Sequence, residues 1–264
     1  MLLHIVGARP NFMKLAPLYR ECKRMGIAQK ILHTGQHYDK NMSDVFFEKF
    51  EIPTPDFNLN INNGSNTWQT ANMMIAIEKV LQDEQPAAVV VFGDVNSTLA
   101  ASLVCAKIGC PIVHVEAGLR SWDNTMPEEI NRRVTDTLAD YLYTPSEDGN
   151  VNLIREGVAP ERIIFVGNIM IDILVQSLPY TDNSILSKYP EKYGLLTMHR
   201  PSNVDDPAKL KKAIDSLINI SKKLPLIFPV HPRKRKEIME LLDTAPAHQI
   251  ITEEPFDYFT MINL

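Results

Sequence analysis

Short apolar, β-branched runs alternate with longer amphipathic stretches along almost the whole chain. Residues 2–6, 30–33, 88–92, 112–115, 141–143 and 163–166 read as strands; 10–25, 42–50, 67–82, 97–107, 128–139 and 147–156 read as helices between them. Near-continuous apolar strands are what a sheet covered on both faces requires, and strand–helix alternation calls for parallel order. The pattern predicts a doubly wound α/β domain. Gly7, Gly35, Gly93, Gly118 and Gly167 each fall at or just past a predicted strand end. Glycine there serves tight βα turns or lets a ligand approach the backbone, and open parallel sheets bind ligands at the carboxyl ends of their strands.

A second βα series follows a polar, proline-bounded stretch at 179–190: strand 194–198, helix 207–223, strand 226–230, helix 233–242, strand 249–252 and a helical start at 256–263. The expected division is therefore a first domain over residues 1–170 and a second over 171–264. So few strands would leave an open sheet edge, and the last residue, Leu264, falls inside an apolar helical pattern. The second domain is expected to be incomplete in this sequence.

The length of 264 residues, with 45% apolar and 22% charged residues, suits one large or two small globular domains rather than a disordered or fibrous chain. A net charge of -5 argues against a nucleic-acid-binding surface, which selects for excess Lys and Arg. Three cysteines without a CxxC pair read as free thiols of a reducing compartment. The apolar N-terminal run is too short for a secretory signal, and the longest apolar stretch, 87–92, is strand-sized. A cytoplasmic protein with no membrane segment is expected.

Chemistry concentrates at the strand ends. After the first strand, Gly7-Ala8-Arg9-Pro10 and Lys14 match neither a dinucleotide fingerprint nor a P-loop. They do place a guanidinium and an ammonium at a helix start, where cations oppose the helix dipole, and together with free N–H groups they would form a diphosphate clamp. Asp94 leaves the most apolar strand, as a capping or Asx-turn residue or as a site residue. Glu116 ends a buried strand in His114-Val115-Glu116-Ala117-Gly118-Leu119-Arg120-Ser121. Burial raises a carboxyl's proton affinity toward the range that suits proton transfer, and the competing reading is an ion pair with Arg120. In Met126-Pro127-Glu128-Glu129-Ile130-Asn131-Arg132-Arg133, a helix start, pairs Glu128/Arg132 and Glu129/Arg133 at i,i+4 spacing favour a structural reading of either glutamate. Two later strands end in the same device, His199-Arg200 and His231-Pro232-Arg233, which suits an anionic ligand. No histidine, acid and cysteine set has metal-ligand spacing, and no GxSxG elbow marks a nucleophile.

Taken in order, Gly7-Ala8-Arg9-Pro10 with Lys14, Thr34-Gly35-Gln36-His37, Gly93-Asp94, the run 114–121, the run 126–132 and Met198-His199-Arg200 resemble the non-hydrolysing UDP-N-acetylglucosamine 2-epimerases. The resemblance spans essentially the whole chain, and the HVEAGLRS and MPEEINR segments carry most of its specificity. It implies two Rossmann-like domains of glycosyltransferase B type, with the UDP-sugar held in the cleft between them. It also implies interconversion of UDP-GlcNAc and UDP-ManNAc through a glycal, with no NAD or metal cofactor, and a homodimer formed through the first domain. By position it assigns the proton-transfer acids to Asp94, Glu116 and Glu128 and puts His199 near the diphosphate. Arg9 and Lys14 hold the nucleotide, with Arg200 and His231 as further substrate-binding residues, and Gln36 falls where relatives bind a second, activating UDP-GlcNAc. Ser202 stands where the family often has Glu. Family members continue with a Ser-Gly-Gly…Glu-Glu segment that binds uridine and ribose, so weak UDP binding and slow turnover are expected of these 264 residues alone. The alternatives are an epimerase of another UDP-2-acetamido sugar, such as a diacetamido-uronic acid, and a non-catalytic UDP-sugar-binding subunit.

Overall fold

The computed structural model describes residues 1–35 and 49–264; residues 36–48, and the side chains of Arg9, Pro201 and Ser202, lie outside what it describes. Gln36, His37 and most of the helix expected at 42–50 fall in that range.

The chain divides into two compact units, Met1–Val175 and Gln176–Leu264. In the first, strands β1 (Leu2–Val6), β2 (Gln29–His33), β3 (Phe57–Asn58), β4 (Ala88–Phe92), β5 (Ile112–Val115), β6 (Tyr141–Thr144) and β7 (Ile163–Phe165) form a seven-stranded sheet in the order β3-β2-β1-β4-β5-β6-β7. Every neighbouring pair is parallel. Parallel pairing demands crossovers, supplied by helices α1 (Arg9–Arg24), α2 (Asn66–Glu84), α3 (Asn96–Ile108), α4 (Pro127–Leu138) and α5 (Glu147–Arg155). The core lies where β1, β4 and β5 meet α2 and α3, with Leu3, Ile5, Val89, Val91, Met73, Ile77 and Ala101 buried. The strand order reverses between β1 and β4, and the crevice outside that point is where such sheets hold ligands.

Two elements escape the sequence pattern. Strand β3 is only two residues long, too short for any periodicity. Helix α6 (Ile169–Ser177) is apolar apart from Asp172, Gln176 and Ser177, so only a narrow polar stripe marks it. The unit boundary falls inside α6, after Val175 rather than after residue 170.

In the second unit, β8 (Gly194–Leu195), β9 (Leu226–Pro229) and β10 (Ile250–Glu253) make a parallel three-stranded sheet in the order β10-β9-β8. Helices α7 (Pro201–Val204), α8 (Pro207–Ser221), α9 (Arg235–Asp243) and α10 (Tyr258–Asn263) accompany it. Leu210, Ile214 and Ile218 of α8 pack with Phe228, Ile238 and Leu242 in a separate core. Strand β8 is shorter than expected: only Gly194 and Leu195 pair with β9, and residues 196–200 run on as irregular chain toward His199.

Candidate active site

The turn after β1 is organised by an asparagine. Asn11 Oδ1 accepts from the Gly7 and Ala8 N–H groups, both at 3.0 Å, and its Nδ2 donates to the Phe92 carbonyl at the end of β4, also at 3.0 Å. The Gly7 and Ala8 amides are therefore occupied, and Pro10 has none to offer. What this turn presents is charge. Lys14, one turn further along α1, is 7% exposed, and its Nζ lies 2.6 Å from Glu116 Oε2.

The register of the sheet brings Glu116 to Lys14. Val91 pairs with His114 and Phe92 with Val115, so Gly93-Asp94 and Glu116 leave adjacent strands at the same level. Glu116 adopts φ 73°, a left-handed conformation that costs a residue with a side chain on the order of 1–3 kcal/mol. That conformation turns the carboxylate back over the sheet edge. Gly93 has φ 62°, and a Cβ there would sit 2.8 Å from Lys14 Nζ, so glycine is needed for both backbone and space. The Glu116–Arg120 ion pair expected as an alternative does not form. Arg120 instead reaches Asp136 at 2.7 Å and Glu156 at 2.6 Å.

Asp94 is partnered from α4. Arg132 Nη2 donates to Asp94 Oδ2, while Asn131 Nδ2 donates to the Asp94 carbonyl at 2.8 Å. Arg132 also bridges to Glu129 at 3.1 Å, an i,i+3 contact. The i,i+4 pairs expected on this helix are absent: Arg133 turns to Asn124 and Glu156. The two adjacent glutamates part company. Glu129 is fully buried and accepts from the Ser121 N–H at 2.9 Å, the Ser121 hydroxyl at 3.0 Å and the Trp122 N–H at 3.3 Å. Burial alone would raise its carboxyl, but these donors and Arg132 hold it below its usual range. Glu128 is exposed and makes no hydrogen bond or ion pair among the described residues, which leaves its carboxylate free to act.

Beneath the edge lies a polar cluster that sequence reasoning missed. His114 Nδ1 is 2.6 Å from Asp136 Oδ1, and its Nε2 is 2.8 Å from the Gly93 carbonyl, with both side chains buried. Asp136 Oδ2 also accepts from the Gly118 N–H at 3.0 Å and from Arg120. Burial would raise the Asp136 carboxyl, and the adjacent His114 ring and Arg120 guanidinium outweigh it and hold it low. One carboxylate thus ties α4 to the turns after β4 and β5. In the sequence the one signal at Asp136 was its place in the last turn of an amphipathic helix, three residues before buried Ala139.

Glu116 lines a cavity of about 200 Å³ with Leu18, Val115, Tyr143, Pro145 and Asn168. With Lys14, Pro10, Leu119 and Ser146 it also lines a more open depression beside it. The first unit therefore gathers Lys14, Asp94 and Glu116 at the carboxyl edge of one sheet, with Glu128 one helical turn before Arg132. The Arg9 side chain is outside the described residues. In the second unit His199 and His231 are both exposed, with ring centroids 6.1 Å apart. His231 Nδ1 accepts from the Arg233 N–H at 3.3 Å, Arg233 is paired with Asp205 at 2.8 Å, and Arg200 is exposed. Among the described residues no group of three or more His, Cys, Asp or Glu side chains is arranged to hold a metal ion.

Comparisons with known proteins fit this geometry. Residues 20–264 match the family model described as UDP-N-acetylglucosamine 2-epimerase. A UDP-N-acetylglucosamine 2-epimerase of Methanocaldococcus jannaschii is 40% identical over 98% of this chain and 74% of its own length. A UDP-2,3-diacetamido-2,3-dideoxy-D-glucuronate 2-epimerase of Pseudomonas aeruginosa is 38% identical over 99% of the chain and 74% of its own. The crystal structure of the M. jannaschii UDP-GlcNAc 2-epimerase with UDP-GlcNAc and UDP superposes with a TM-score of 0.86 at 41% identity, covering 98% of this chain and 75% of that one. The chain thus spans about three quarters of these relatives. An α/β architecture of two Rossmann-like units, acids and a lysine gathered at a sheet's carboxyl edge, and a family match over nearly the full length agree: the chain belongs to the non-hydrolysing UDP-N-acetylglucosamine 2-epimerase family.

Proposed function

We infer that this chain interconverts UDP-GlcNAc and UDP-ManNAc by elimination and re-addition of UDP. The observation that carries the reading is the Lys14–Glu116 pair, which has Gly93 at its back and lines the cavity and depression outside the carboxyl ends of β5, β6 and β7. A carboxylate takes the C2 proton, the C–H electrons form the C1–C2 double bond, and the C1–O bond to UDP breaks. The products are a 2-acetamidoglycal and UDP. Protonation of C2 from the opposite face and return of the UDP oxygen to C1 complete the epimerisation. The departing diphosphate needs cations, and proton transfer on two faces needs more than one acid–base group.

Glu116 and Asp94, each beside a cation, serve as proton-transfer groups, and Glu128 is the third carboxylate. Lys14 and Arg9 hold the nucleotide's phosphates, and His199, Arg200 and His231 of the second unit supply further anion-binding groups. The fold supports the assignment by delivering Arg9, Asp94, Glu116 and Glu128 at or just after a strand end or at a helix start, with Lys14 in the second turn of α1. UDP-sugar is the substrate and no cofactor takes part. The family resemblance further supports a homodimer. No helix among the described residues is long and apolar enough to cross a membrane, in keeping with a cytoplasmic enzyme.

The test is incubation with UDP-GlcNAc, then with the UDP-diacetamido-uronic acid, each followed by proton NMR. Conversion of the first alone supports the reading. Conversion of the second alone assigns the other sugar, and binding of either without conversion assigns a binding subunit.

A further inference from the structure

Helix α3 ends at Ile108 with Gly109 at φ 76°, and the N–H groups of Gly109 and Cys110 both reach the Cys105 carbonyl, the latter at 3.0 Å. Helix ends of this type bring together the side chains of the residue in the last turn and the residue after the glycine, ordinarily as an apolar contact. Here both are cysteines. Cys105 is fully buried, Cys110 is partly exposed, and both are free thiols. Cys110 Sγ also lies 3.8 Å from the Pro86 carbonyl. The third thiol, Cys22, is buried on α1.

We propose that Cys105 and Cys110 form an oxidisable dithiol site, with Cys110 as the attacking sulfur and Cys105 as the resolving one. A hydroperoxide is the oxidant. The Cys110 thiolate attacks the peroxide, giving a sulfenic acid and hydroxide; the Cys105 thiol then displaces the sulfenic oxygen as water and forms the disulfide. In total two thiols and one hydrogen peroxide give one disulfide and two waters. Polarity agrees with these roles: the neighbouring Cys110 thiol, with burial, raises the Cys105 thiol, and the neighbouring Cys105 thiol lowers that of Cys110. A thiol lower in the pair and open to solvent is the one that reacts first. The site lies before β5, on the amino-terminal edge of the sheet, whereas Asp94 and Glu116 follow the carboxyl ends of their strands. Its readout is therefore stability rather than the epimerase site, because a cross-link here restricts the unfolded chain.

The experiment treats the native full chain with hydrogen peroxide in slight excess, blocks free thiols under denaturing conditions, and maps peptides. Lys107 lies between the two cysteines, so trypsin separates them unless a disulfide joins the fragments. The expected result is a joined pair with a mass lower by about 2 Da, restored by dithiothreitol, and a higher unfolding temperature in the oxidised form. In Cys105→Ser the reaction should stop at a Cys110 sulfenic acid that dimedone traps, and in Cys110→Ser the Cys105 thiol should survive. Three free thiols after treatment, a bridge to Cys22 or between chains, or Cys110 oxidised while wild-type Cys105 stays free would each overturn the proposal.

Discussion

Glu116 holds a left-handed backbone conformation and is the counter-ion of a buried cation at once. Replacing it by glutamine keeps the size and removes the charge. Turnover by Glu116→Gln is expected to fall by about 10²-fold or more, while UDP affinity in calorimetric titration holds or rises, because Lys14 no longer shares its charge. Folding stability should drop by about 1–3 kcal/mol, since the buried ammonium loses its counter-ion. A variant that keeps full turnover would remove Glu116 from the proton-transfer set. Asp136 gives a different pattern. Its carboxyl is held low, so its contribution to stability is complete above the unfolded value of 3.8 and is lost as pH falls through the lower folded value. Asp136→Asn should cost about 3–5 kcal/mol at pH 7, and urea unfolding should show the gap from wild type closing once pH falls below 3.8. A gap that stays constant into acid contradicts the network. Glu116 stood out in the sequence because a carboxylate at the end of an apolar run has few structural reasons to be there, whereas Asp94 read equally as a capping residue. Asn11, Asp136 and Arg132 were not, because a polar residue on an amphipathic helix looks the same whether it faces water or a neighbouring turn.

At the scale of elements, the apolar strand runs located the β1–β4–β5 centre of the sheet, and its parallel register then set Gly93 beside Glu116. The two-residue β3 and the mostly apolar α6 gave little periodicity to read. Nor did spacing along α4 say which glutamate turns inward: Glu129 is buried and Glu128 exposed because the loop at 121–122 offers its N–H groups to the former. The turn after β4 constrains its glycine in both backbone and space. Gly93→Ala should destabilise by more than about 1 kcal/mol, from the positive φ and the contact with Lys14 Nζ. It should also lower turnover by displacing that ammonium from Glu116. Unchanged melting and rate would show that the turn has slack. Strand β1 carries a pH dependence of its own. Burial pushes the His4 ring down to about 4 from 6.5, so the unfolded chain binds more protons between those values and stability rises with pH across that window. The expected change is about 3 kcal/mol. His4→Leu should remove it, leaving a wild-type-minus-variant difference that slopes between pH 4 and 6.5 and is flat above; a flat difference throughout would contradict a buried neutral ring.

At the scale of the molecule, the chain comprises two parallel-sheet units with separate cores, and each carries its candidate residues at the carboxyl edge of its own strands. That placement was legible from strand–helix alternation. The individual chemistry was legible only where the HVEAGLRS and MPEEINR segments gave a resemblance, because alternation alone describes many enzymes with unrelated reactions. Substrate choice between UDP-GlcNAc and a diacetamido relative is not written in the fold, since the relatives at 40% and 38% identity act on different sugars by their names. Proton removal from the sugar's C2 is common to both. The direct measurement is NMR of UDP-GlcNAc incubated with concentrated protein in deuterated water, beside a Glu116→Gln control. Deuterium at C2 of both epimers with the wild type, and none with the variant, is the predicted result. Epimer formed with its original C2 proton retained, or exchange undiminished in the variant, contradicts the account.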